Sequence, residues 1–109
     1  MAITYKVLGQ SAPSATTNTD VYTVGAGKQS TISTIAICNR NSASATYRIA
    51  IRPDGATIAN SHYIAYDTTI SGNDTVFLTV GITVDASDVV TVYASTANLS
   101  VSIFGVEIA

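Results

Sequence analysis

The chain has 109 residues, a formal net charge of −2, and 11% charged against 47% hydrophobic residues. Thr (16), Ile (12) and Val (11) together fill 39 positions, whereas Leu fills three. This excludes a second domain, a disordered chain and a Leu-, Glu- and Lys-rich helical bundle, while two Lys and three Arg are too few to neutralise much nucleic-acid phosphate.

Strand signals come as short β-branched runs between clusters of Gly, Pro, Asn, Asp and Ser. The first run is Ile3 to Leu8, followed by a Ser-, Ala- and Thr-rich stretch from Gly9 to Thr19 that reads as an extended arm or a loop. Residues 1–19 are thus an N-terminal strand with a candidate arm, and 20–109 the body of the domain. Asp20 to Val24 leads into the turn Gly25-Ala26-Gly27-Lys28. In the long run Gln29 to Asn39 the apolar residues fall at 32 and then at 35 and 37, a change of parity that predicts a bulge or burial on both faces. Thr46 to Arg52 alternates cleanly, with Tyr47, Ile49 and Ile51 on one face and Arg48, Ala50 and Arg52 on the other.

Pro53-Asp54-Gly55 is a turn in which Pro presets φ and Gly accepts positive φ. Residues 56–62 are irregular. Tyr63 to Asp67 is a short strand, and Ser71 to Asp74 a turn. Thr75 to Val80 continues past Gly81 into Ile82 to Val84; Asp85 to Asp88 is a turn, and Val89 to Ala94 a strand. In the last strand, Leu99 to Ile108, apolar residues fall at 99, 101 and 103 and then at 104, 106 and 108, which predicts a bulge or bend beside Gly105. About eight strands with turns every 8–12 residues predict an all-β, antiparallel, jelly-roll-like β-sandwich.

No residue pattern carries catalysis. Gly25-Ala26-Gly27-Lys28 resembles a phosphate loop only in part, because Tyr22 stands where its first glycine belongs and a strand follows instead of a helix. The single His62 has no matched nucleophile and acid. Most of the seven acids fall in or next to turns, where Asp bonds its own backbone, and the Asp85–Asp88 pair lacks the run of a calcium loop. Cys38 is the only cysteine and reads as a small buried hydrophobe on a strand. No enzyme, metal or cofactor is therefore expected. The start of the chain is no secretory signal, and no stretch approaches the ~18 apolar residues of a membrane helix. The expected partners include neither nucleic acid nor membrane.

The segment Ile3-Thr4-Tyr5-Lys6-Val7-Leu8-Gly9-Gln10-Ser11-Ala12-Pro13, with Val21 to Val24 and Gly27-Lys28, resembles a family of small virion structural proteins of tailed bacteriophages, above all cyanobacterial and other aquatic phages. Cys38-Asn39-Arg40 with Thr46 to Pro53 is similar to its middle; His62 to Asp67, Val90 to Ser95 and Phe104 to Ile108 are similar to its end. Where that family often has Pro in the first hairpin, this chain has Gly25.

The resemblance implies a β-sandwich that decorates a phage particle, without catalytic residues. The expected role is a capsid decoration (cement) protein, assembled into the virion in the host cytoplasm; the alternative is a tail, neck or baseplate module that binds a receptor or glycan. Its partners would be copies of itself, as a homotrimer or other homo-oligomer, and capsid or tail proteins. Arg48 and Arg52 are candidate partner contacts, since Arg is favoured at interfaces, together with Tyr5 and Lys6. The low charge points the same way, because a free monomer usually carries more.

Overall fold

A computed structural model describes all residues, Met1–Ala109. Eight strands form: β1 (Ile3–Ser11), β2 (Thr19–Thr23), β3 (Gln29–Asn39), β4 (Ala45–Arg52), β5 (Tyr63–Ile70), β6 (Thr75–Val84), β7 (Val89–Ala94) and β8 (Leu99–Ile108). They pair in two antiparallel sheets, sheet A in the order β1-β8-β3-β6 and sheet B in the order β2-β7-β4-β5. This interleaving of the two sheets is the jelly-roll arrangement. No helix is long and apolar enough to cross a membrane.

Alternation builds the core. Ile35 and Ile37 of β3, Tyr47 and Ile49 of β4, Val90 and Val92 of β7, and Leu99, Val101 and Ile103 of β8 are buried between the sheets. Fully burying one such side chain contributes about 1.5–3 kcal/mol. The turns follow their residue chemistry. Gly27 takes a φ of 72° in the β2–β3 turn. The Asp88 carboxylate accepts the backbone N–H groups of Asp85 (2.8 Å) and Asp54 (2.9 Å), tying two turns at one end. At the other end the Asn39 side chain donates to the Ala43 carbonyl (2.9 Å) and accepts the Asn41 N–H (3.1 Å). Asn39, the last residue of β3, is buried with its polar atoms satisfied and closes this end of the sandwich.

The expected bulge in β3 is present: Ile32 pairs with Gly105 and Thr34 with Phe104, leaving Ser33 extra. The expected bulge in β8 is not in β8. Its register runs without an extra residue, and the insertions lie in its neighbours, at Ser33 on β3 and at Leu8 on β1. Gly105 is required here because a Cβ would land on the Thr31 carbonyl oxygen, where the bulged β3 backbone approaches. Leu99, Val101 and Ile103 therefore point inward, and Phe104, Val106 and Ile108 outward. The parity change marks apolar side chains that moved to the outer surface.

Residues 1–19 are part of the sandwich. Ile3–Ser11 is hydrogen-bonded along β8, Ala15 bridges to Ala94, and the Thr16 N–H donates to the Ala94 carbonyl (2.8 Å). Ala2 and Ala109 exchange backbone hydrogen bonds of 3.0 and 2.9 Å. Cys38 is only half-buried, on the outer side of β3 opposite Thr75 and Ser100, because its inward neighbours Ile37 and Asn39 take the core side.

Candidate interaction surface

Residues directly opposite each other on paired strands share a face, so the register lays out the exterior of sheet A. Ile3, Tyr5 and Val7 of β1 stand opposite Ile108, Val106 and Phe104 of β8. Across β3 the row continues through Thr31, Thr34, Ala36 and Cys38 to Thr83, Thr79, Phe77 and Thr75 of β6. Gln10, Ser100 and Ser102 complete the β1–β8 end of the surface, with the Gln10 amide donating to the Ser102 hydroxyl (3.1 Å). Tyr5 is 82% exposed, Phe77 67%, Ile3 52% and Val7 47%.

No charged residue occupies these outward rows, and each of the twelve can be located elsewhere, Lys6 keeping a 42% exposed side chain on edge strand β1. Lys6 and Glu107 occupy the inward rows, opposite Gly105 and the buried Ser30 respectively. Lys6 and Lys28 both reach Glu107 Oε1, at 3.0 and 3.5 Å. The hydrogen bond from Lys6 and the two positive charges hold the Glu107 carboxyl below its usual range. Arg40, Asp54, Asp74, Asp85 and Asp88 lie in turns, and the other four are on sheet B.

The exterior of sheet B is a different surface. The β5 register slips between the partners of Tyr47 and Ile49, and Asp67 takes a φ of 48° there. That bulge turns Tyr66 and Asp67 together onto Arg48. The guanidinium donates to both carboxylate oxygens of Asp67, at 2.6 and 3.3 Å. It is also stacked between the rings of Tyr66 (4.2 Å) and Tyr93 (4.3 Å). The ion pair raises the Arg48 pKa and lowers that of Asp67. Tyr63 meets Tyr66 edge-on at 4.9 Å, and with Asn60 they line a hollow of about 280 Å³.

Arg52 is equally committed within the chain. It donates to Asp20 Oδ1 (2.8 Å), the Ala56 carbonyl (2.8 Å) and the Gly55 carbonyl (3.0 Å). Arg48 and Arg52 do share one face, as their alternation predicted, but each is ion-paired within the chain, to Asp67 and to Asp20. Of the four residues singled out as partner contacts, Tyr5 alone is on sheet A's outer surface. Lys6 is turned inward to Glu107. The residues that the sequence reasoning missed are Val7, Phe77, Phe104, Val106 and Ile108, and the parity change in β8 is the signal that could have found the last three.

A second apolar feature opens between β5 and β6, the edge strands of opposite sheets. It is a cleft of about 630 Å³ lined mainly by Tyr47, Ile64, Phe77, Leu78, Val80 and Ile82. The remaining polar chemistry is sparse. No group of three or more His, Cys, Asp or Glu side chains converges, and His62 Nδ1 accepts the Ala59 N–H (3.1 Å) within its own turn. No family model, no curated protein and no solved structure matches the chain.

Proposed function

We propose that the protein is a structural accessory protein of a tailed-phage virion, a capsid decoration (cement) protein that stabilises the particle through protein–protein contacts. The observation that carries this reading is the exterior of sheet A: four strands wide, free of charge and set with exposed Ile3, Tyr5, Val7 and Phe77. Its β1–β8 half is a continuous apolar patch of Ile3, Tyr5, Val7, Phe104, Val106 and Ile108, and a patch of this kind marks an interaction site. The resemblance of Ile3–Pro13 and of the segments after it to phage structural proteins supplies the setting. Repetition on a symmetric shell would multiply a modest affinity at each site, and copies of the chain and capsid or tail proteins are the partners.

The test is co-sedimentation of the purified chain with phage particles from which it has been removed. Saturable binding is expected, and Tyr5→Glu should abolish it without unfolding the protein. Failure to bind either capsids or tails would overturn the reading. One observation favours a second reading, a tail-borne receptor or glycan module: the Asn60, Tyr63 and Tyr66 hollow beside Arg48 presents ring surface and amide groups suited to a sugar. Saturable glycan-array binding that is lost in Tyr66→Ala would replace the first reading with this one.

A further inference from the structure

We propose that the outer face of sheet A packs against the same face of a second copy of this chain, related by a two-fold axis. This deepens the assembly reading above by naming one partner for that surface.

Charge selects the partner. A two-fold contact buries the same face of both chains, so every charge on that face is desolvated twice and must find its counter-charge at a symmetry-related position. Sheet B would have to bury two sets of Arg48, Arg52, Asp20 and Asp67, which are already paired within each chain and partly hydrated. The sheet A exterior has nothing to repel itself. Conversely, a partner presenting charges to it would lose their hydration and receive no counter-charge. The surface that fits must be uncharged, broad and twisted like a sheet. This face is itself such a surface, and stacked sheets pack about 10 Å apart with strands within about 30° of alignment.

Area is sufficient as well. Four strands spaced about 4.8 Å, running about ten residues at about 3.4 Å, cover roughly 650 Å² in plan. The corrugated accessible surface exceeds that plan area, which brings it near the ~800 Å² per partner of a standard interface. Tyr5 and Phe77 stand on opposite edge strands. A face-to-face contact covers both, whereas pairing of β1 edges would leave Phe77 in solvent.

The experiment is sedimentation equilibrium of the full chain from micromolar to hundreds of micromolar, with thermal unfolding of dilute samples as the folding control. The expected mass at high concentration is twice the 11.3 kDa of one chain. Tyr5→Glu and Phe77→Glu should each raise the dimer dissociation constant by more than ~100-fold, because each change places two uncompensated carboxylates in one interface. Thr69→Glu, at an exposed position of β5 opposite Thr46 in sheet B, should leave it unchanged. A wild-type monomer at every concentration, a three-chain mass, or a dimer that survives either sheet A substitution would overturn the proposal.

The same variants separate it from the virion reading. A monomer that binds particles through Tyr5 leaves that reading standing and gives the face to another virion protein. A dimer that dissociates as expected but never binds particles supports the two-fold contact and removes the virion role.

Discussion

The two outer faces of the sandwich use their residues in opposite ways. Sheet B is internally satisfied: Arg48 holds Asp67 and is stacked by Tyr66 and Tyr93, and Arg52 holds Asp20 and two backbone carbonyls. Sheet A leaves Ile3, Tyr5, Val7 and Phe77 facing water with no charge between them. Both faces carry aromatic rings, and only on sheet B are they stacked with a cation of the chain. Polarity that is used up inside a molecule is poor material for a partner, whereas apolar surface left uncovered gains from one.

Substitutions can break this contrast, and the largest effect should come from the side of sheet A that faces the core. Ile103→Ala removes a side chain with no exposure and should cost about 3 kcal/mol by chemical denaturation. Phe104→Ser, the next residue, should cost the monomer less than about 1 kcal/mol, since its ring points outward. Equal losses at 103 and 104 would mean that the β8 alternation has been misassigned.

Arg48→Met comes next. It removes the ion pair and the cation between two rings while keeping an apolar stem, and should lower the melting midpoint of a dilute sample clearly, by less than Ile103→Ala does. No change would show that sheet B is not held by this cluster.

A smaller effect should appear with pH. Asp67 and Glu107 ionise more readily in the folded chain than in the unfolded one, held down by Arg48 and by Lys6 with Lys28. Their pairs therefore stabilise the fold at neutral pH. That contribution fades as pH falls from the unfolded carboxyl range near ~4 through the lower folded values. The melting midpoint should drop on acidification, and Glu107→Gln should flatten part of the drop. The smallest effect belongs to Tyr5→Ser: unfolding of the dilute chain should change by no more than about 0.5 kcal/mol, while self-association weakens.

Much of the architecture was legible in the sequence. Gln29–Asn39, Val89–Ala94 and Leu99–Ile108 are strands with the bounds their turn signals gave. β5 extends beyond Asp67 to Ile70 because Thr68 and Thr69 satisfy an exposed edge strand without apolar alternation. What alternation cannot convey is which charges meet. Arg48 and Asp67 lie 19 residues apart, and Arg52 and Asp20 lie 32 apart, so neither intrachain ion pair could be read from the alternation of β4. The tyrosines divide for the same reason: Tyr22 and Tyr47 enter the core, Tyr5 and Tyr66 stay exposed, and only the pairing of strands decides it. The two apolar parities of β8 were visible, but one strand alone does not distinguish a bulge in itself from a second face made apolar.

The place of β8 in sheet A also has a consequence in time. It is an interior strand, joining β1 to β3, and its residues are the last of the eight strands to be made. Until Leu99–Ile108 emerges, β1 has no neighbour, and half of the apolar row does not exist. Closing a sheet between segments about a hundred residues apart is slow compared with forming hairpins. The outer face of sheet A is therefore complete only once β8 has paired with both neighbours, and a chain shortened before Leu99 lacks half of the apolar row.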